Sequence, residues 1–446
     1  MQGHDRSALT ASLRTRSERL DPGARLALER AAGSLLALAG EAGFVWSSPA
    51  RTLITAGAAA RIPVPNGPRR LERLSAAAQS LLGESVPAGP AAGSALGPAQ
   101  GQGPPLASPS GTALAVGAIP FDDRSPGELI VPALVLEPAA DGGLQASSIA
   151  LGADPPDPIN LAARLVARVA GEEWPRRAAV TSRWERRDWR AAVETILRLI
   201  GAGRLDKAVL AREVVVEADR PFGRAAVLAR LAARSAGSYL YASGGFVGAS
   251  PELLVARHGR MASSRPLAGT VPRGATPAEE ARSQAWLRSS AKEALEHRLV
   301  VDAVAGALAK AAERIEVAAT GVVRLPTVSH LATAITAGLG EAAPTALDLV
   351  ALLHPTPAVA GTPRDAALSL LASLEPAGRG LYGGPVGWMD AAGDGEWAVA
   401  LRCASLAGPR ARLLAGAGIV AGSDPDAEWD ETASKLQAML EVLTGR

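Results

Sequence analysis

Cysteine is almost absent from this 446-residue chain, Cys403 being the only one. Intramolecular disulfides and cysteine-based zinc sites are thereby excluded, and a reducing cytoplasm is the expected compartment. Aromatic residues make up 3%, too little for a surface that stacks single-stranded bases on exposed rings. Charge of one sign is lacking as well. With 46 Lys and Arg against 44 Asp and Glu, the formal net charge is +2, so bulk charge does not bind phosphate backbones and no nucleic-acid partner is expected. Long apolar runs are missing: the stretch from Ala31 to Ala39 is cut off at Glu41, well short of the ~20 residues of a membrane span. The opening Met1–Arg6 lacks the basic-then-apolar pattern of a secretory signal. A soluble protein with no membrane partner is expected. No period of roughly 20 to 50 residues recurs, which excludes solenoids and propellers.

What is present is a globular composition, 48% hydrophobic and 20% charged. The pattern predicts a helix around Pro22 to Leu38, short strands at Gly43–Trp46 and Thr52–Ile54, and an amphipathic helix through Leu71, Leu74, Leu81 and Leu82. From Pro87 to Thr112 the chain is almost only Pro, Gly, Ala, Ser and Gln, a composition that reads as a mobile loop. Residues 1–112 are therefore taken as an N-terminal part ending in that loop, and 113–446 as the main region. Past Asp157 the spacing predicts helices at Trp189–Gly201, Arg224–Ser235, Pro277–Glu313, Thr345–Leu353 and Pro425–Leu443. Strands are predicted at Ala208–Val215, Tyr239–Val247, Glu252–His258, Gly384–Asp390, Glu396–Cys403 and Ala411–Ile419.

Several clusters could carry chemistry. On the last helix Glu428, Glu431 and Lys435 fall at i, i+3 and i+7 and share a face, after an Asp424 N-cap and Pro425 at N1. That face is either solvated with a Glu431/Lys435 pair, or a carboxylate set for a hard divalent cation beside a lysine for an anionic substrate. Glu296 borders the stripe Leu295, Leu299 and Ala303, as a surface carboxylate or a further oxygen ligand. The run Gly416–Gly422 invites a dinucleotide reading, but only 24 residues follow it (446 − 422), with no second strand to complete a βαβ unit. A tight glycine turn for a smaller anion survives. Walker A is absent. Lys207, Val209 and Ala211 share one strand face, so Lys207 is either a strand-end lysine reaching water or, if enclosed, a general base. Glu252, after Ser250-Pro251, has the mirror possibility: burial would raise its carboxyl and make it a general acid.

Taken together, several strings resemble the chorismate-utilising enzymes, and among them the isochorismate synthases. They are Gly117–Asp122, Lys207–Arg212, Ser250–Leu253, Pro266–Thr270, Glu296–Asp302, Leu353–Ala358, Tyr382–Trp388 and Gly416–Lys435, in family order from Ala113 onward. The resemblance implies an α+β fold, with two large antiparallel sheets packed together, helices outside, and residues 113–446 as the chorismate-binding catalytic region. This replaces any parallel-sheet reading. It implies Mg²⁺ as cofactor, Glu296 and Glu431 as ligands, and Glu428 close to the metal through water. Arg402 and Lys435 are implied as partners of substrate carboxylates, helped by amides near Gly269, Thr270 and Gly418, with His354 near the ring or its hydroxyl.

The implied reaction adds water at C2 of chorismate as the C4 hydroxyl leaves, with Lys207 as base and Glu252 as acid. Anthranilate synthases usually carry Gln at Lys207, and aminodeoxychorismate synthases a lysine at Ala268; both differences disfavour amine chemistry. A monomer without a glutamine amidotransferase subunit is expected. The alternatives are a salicylate synthase, which also eliminates pyruvate, and a non-catalytic chorismate-binding protein. One departure is Val271, where many relatives carry Arg.

Overall fold

The computed structural model describes residues 12–32, 34–40, 42–87, 112–166 and 174–445. All but the two ends of the Pro87–Thr112 segment lie outside the described residues. Among those described, strands form three sheets of 13, 9 and 3 strands. Every pairing is antiparallel except that of Leu13–Leu20 with Val86–Pro87. The two large sheets are those the resemblance implies; the small third sheet was not foreseen.

Eight strands and three helices build the site. They are β1 (Lys207–Ala218), β2 (Phe246–Ser250), β3 (Leu253–His258), β4 (Leu267–Pro272), β5 (Val328–Ala332), β6 (Gly395–Val399), β7 (Cys403–Ala407) and β8 (Arg410–Ile419), with α1 (Ala291–Leu308), α2 (Arg364–Leu374) and α3 (Pro425–Thr444). In the first sheet these run β1-β8-β7-β2; β3 and β6 are neighbours in the second sheet, β4 and β5 in the third.

β1 shows why the site lies inside. Its first ten residues are all buried, because both faces are covered. Ala208 and Leu210 pack with Trp189, Val193 and Ile196 of helix Arg186–Gly201 and with Leu371 of α2. Alternation along a strand then turns Lys207, Val209 and Ala211 the other way. Ala211 joins the main core, where Trp46, Trp388 and Trp397 are wholly buried. The N-terminal strands Phe44–Ser47 and Ala60–Pro63 enter the first and second sheets respectively, so this part of the chain completes both.

Four predicted elements divide, the first being the Pro22–Leu38 helix, which is an α-helix over Pro22–Ala32 and a separate 3-10 turn over Leu36–Ala39. The Pro277–Glu313 helix breaks at Ser290, whose backbone is extended and whose Oγ accepts from Glu293 N (3.4 Å) to cap α1; its end belongs instead to strand Ala312–Val317. Tyr239–Val247 is a hairpin, Tyr239–Ser243 against β2, turning at Gly244 with φ +54°. Glu396–Cys403 ends at Val399 and resumes as β7, because the chain there passes from the second sheet to the first.

Candidate active site

Two crossings between the large sheets bring their side chains to one place. At the first, Ser250-Pro251-Glu252 leads from β2 to β3. Ser250 Oγ accepts from Glu252 N (3.2 Å) and donates to Val399 O (2.5 Å), which fixes the turn. Glu252 is buried, and burial pushes its carboxyl up to about 7, against the partial offset of the Leu267 N–H and the charges of Lys207, Arg402 and Lys435. At the second crossing, Arg402 adopts φ +48°, a left-handed conformation uncommon for arginine. Its carbonyl accepts from Ala249 N (3.2 Å), and its neighbour's, Leu401 O, from Tyr241 Oη (3.1 Å).

Arg402 Nη2 stands 3.1 Å from His330 Nε2. A guanidinium can only donate, so Nε2 accepts and the imidazole proton is on Nδ1, facing Gly269 O (3.2 Å) and Thr270 Oγ1 (3.1 Å). Burial first, then Arg402, keeps His330 neutral, well below the usual range. β4 and β5 are thereby tied to the second crossing.

Lys207 is wholly enclosed, its Nζ 3.0 Å from Glu296 Oε1, an ion pair whose approach lies off the hydrogen-bonding direction. Opposite Val209 on β8 stands Gly418. A Cβ there would fall 2.0 Å from Glu296 Oε1 and 3.0 Å from Lys207 Cε, so glycine provides clearance for the pair. Burial opposes ionisation of Glu296, but Lys207 and Lys435 outweigh it and hold the carboxyl below its usual range.

Four carboxylates converge, Glu293 and Glu296 from α1, Glu428 and Glu431 from α3. Lysines hold them: Lys435 Nζ donates to Glu431 Oε1 (2.6 Å) and Gly416 O (3.0 Å), and Lys292 Nζ to Glu428 Oε1 (2.7 Å), with Glu293 Oε1 at 3.3 Å. Burial, then the charge of Glu431, pushes Glu428 up to about 7; burial, then Glu296, raises Glu293. Such crowded hard oxygen donors suit Mg²⁺ in kind. Among the described residues no group of three stands at metal-holding spacing.

Glu252, Glu296, Thr270, Arg402, Gly418 and Lys435 line an inner cavity of about 40 Å³. Glu428, Glu431, Glu293 and Lys292 line an outer one of about 350 Å³, which shares Thr270. The inner volume is that of a few waters, so a ring-sized ligand needs its walls to move. Of the predicted residues, Glu252, Thr270, Glu296, Arg402, Gly418, Glu428, Glu431 and Lys435 line the two cavities, while Lys207 touches Glu296 and Gly269 precedes Thr270 just outside the lining. His354 lines neither cavity; its Nε2 faces Phe121 O (3.2 Å), its ring stands edge-on to Phe121, and only the following Ala358 and Val359 reach the inner wall. Gly269, with φ +74°, bends β4 so that Thr270 N donates to Glu293 Oε2 (2.7 Å); the amide predicted to hold a carboxylate holds this one. Val271 packs with Leu287 and Leu331 and lines the outer cavity.

Sequence reasoning missed His330, Tyr382 and Glu293. Glu293 had a signal, since Glu293/Glu296 repeats on α1 the i, i+3 spacing of Glu428/Glu431 on α3. Tyr382 stood in a string matched to the family, and its ring now lines the inner cavity. His330, one residue in the apolar strand Val328–Ala332, had none.

Residues 159–444 match the family model described as chorismate binding enzyme. The isochorismate synthase DhbC of Bacillus subtilis (strain 168) is 35% identical over 416 residues, covering 90% of this chain and 93% of that protein. A putative isochorismate synthase MenF of Mycobacterium tuberculosis (strain CDC 1551 / Oshkosh) is 41% identical over 349 residues, 75% of this chain and 87% of that protein. Among solved structures, a putative 2,3-dihydroxybenzoate-specific isochorismate synthase, DhbC, from Bacillus anthracis aligns with TM-score 0.72 at 30% identity, over 90% of this chain and 96% of that one. The sheets, the crossings and these likenesses together make the chain a member of the chorismate-binding enzyme family.

Proposed function

We propose that the protein is an isochorismate synthase, an isomerase that adds water at C2 of chorismate while the C4 hydroxyl departs and the ring double bonds shift. The observation that carries the reading is Glu252, a buried carboxyl pushed up to about 7 at the wall of a cavity whose other charged lining is Arg402, Lys435 and Glu296. A carboxyl that keeps its proton near neutrality can give it to a departing hydroxyl. Arg402, oriented by neutral His330, and Lys435 offer two positive groups for the carboxylates of a dianionic substrate. Lys207 is assigned as the base. To take a proton from water its ammonium must first release one, and its contact with Glu296 must open so that the nitrogen reaches the cavity.

Glu296 and Glu431 would hold Mg²⁺ directly and Glu428 through water, with Glu293, one helical turn before Glu296, beside them. Bound there, the ion would supply fixed positive charge beside a substrate carboxylate. For this, Lys435 and Lys292 must yield the carboxylates they now engage.

Incubation with chorismate and Mg²⁺, followed by chromatography, tests the reading. An isomer of unchanged mass is expected. Salicylate plus pyruvate as the main product would make the protein a salicylate synthase, and bound but unconverted chorismate would make it a binding protein.

A further inference from the structure

Glu375 and Arg379 form a buried pair just past the end of α2 that the proposed chemistry leaves unused, their side chains 7% and 1% exposed. Arg379 Nε and Nη2 donate to Glu375 Oε2 (2.6 Å) and Oε1 (2.7 Å), a two-bond fork. The remaining bonds reach the backbone. Nη2 donates to Val209 O (2.6 Å), Nη1 to Val359 O (2.5 Å), and Glu375 Oε1 accepts from Ala211 N (2.8 Å).

The position of these bonds along β1 gives them meaning. On the outer edge of β1, Lys207 and Ala208 are paired with Thr362 and Gly361, and Val214 to Ala218 with Ser182 to Ala178. Val209 and Ala211 lie between these two pairings; Val209 N still donates to Ala360 O (2.8 Å), and the guanidinium and carboxylate supply the partners of Val209 O and Ala211 N that a strand would otherwise give. Val209 and Val359 both line the inner cavity, and Lys207 precedes Val209 by two residues on the same face. One guanidinium thus fastens two walls of the cavity, beside the lysine assigned as base.

We propose that Glu375 and Arg379 are positioning residues that hold β1 and the Ala358–Val359 segment in place, and so fix where Lys207 Nζ stands. The proposal rests on the reading of Lys207 as the base. Lysine at position 379 keeps the charge but cannot form the fork. Arg379→Lys should therefore lower kcat about tenfold or more while the KM for chorismate stays within about twofold, since Arg402 and Lys435 come from other elements. Glu375→Gln, which keeps an oxygen for Ala211 N, should lose less. The control is Arg51→Lys, in the turn before strand Thr52–Ala56, whose ion pair with Glu137 (2.7 Å) lies elsewhere along the first sheet, 9% and 16% exposed; it should lower Tm and leave kcat unchanged.

A folded Arg379→Lys with wild-type kcat, a rise in KM alone, or an equal kcat loss in Arg51→Lys overturns the proposal. If Arg379→Lys does not fold, Glu375→Gln decides by the same criteria. If the wild type does not convert chorismate, the functional reading fails by itself. The positioning claim is then read from crystal structures, in which the separation of Lys207 Nζ from Glu296 Oε1, 3.0 Å here, should lengthen by about 1 Å in the variant; an unchanged separation overturns it.

Discussion

Glu252 keeps its proton because three neighbouring cations offset only part of the cost of burying its charge. With its carboxyl at about 7, the acid form is present below that pH and lost above it. The kcat/KM for chorismate, which reports the free enzyme, should therefore fall as pH rises through about 7. Glu252→Gln should lower kcat by about 10²–10⁴ and abolish that alkaline limb, with substrate affinity mostly kept. A pH profile that retains the limb in the variant would assign it to another group. At this scale most of the site was legible: Lys207, Glu252 and Glu296 stood in matched strings, Arg402 was implied by the resemblance alone, and the four lie together. His354 stands outside both cavity linings because its string marks a turn whose later residues, Ala358 and Val359, face the inner one. His330 went unread because its role exists only across strands, where Arg402 supplies the donor that sets its tautomer.

At the scale of elements, two helices each present a glutamate pair at i, i+3 and a lysine: Lys292 beside Glu293/Glu296, and Lys435 one turn after Glu428/Glu431. Spacing placed Glu296 at the margin of a stripe through Leu295 and Leu299. In the structure the buried residues are Glu293, Glu296, His297, Val300, Val304 and Leu308, so the carboxylates stand on the inward face. Periodicity alone could not find that, because alanine and valine surround both stripes alike. If these helices hold Mg²⁺ between them, Glu296→Gln and Glu431→Gln should each remove Mg²⁺-dependent turnover. Lys292→Met removes the cation now engaging Glu428 and should tighten Mg²⁺ binding, measured by calorimetry without substrate, about tenfold. Unchanged Mg²⁺ affinity in all three variants would remove the metal from this place.

For the whole molecule, the arrangement that matters is a pair of passages between the two large sheets, at Ser250–Leu253 and Val399–Cys403, which leave an acid at one and an arginine at the other. The alternation of strands showed that sheets exist. It could not show which strands share a sheet, since the pairing of β1 with β8 joins residues about 200 positions apart. The two-sheet architecture came from resemblance, and the small sheet that brings Thr270 and His330 to the cavity was not read at all. Among the described residues no helix is long and apolar enough to cross a membrane.

The central claim is that a water molecule is added at one ring carbon as a hydroxyl leaves another, and turnover in ¹⁸O-labelled water tests it most directly. Mass spectrometry of the product should show an isomer of chorismate that carries one labelled oxygen, at C2, and Lys207→Ala should suppress its formation. An unlabelled isomer, or labelled product formed at the wild-type rate by Lys207→Ala, would contradict the account.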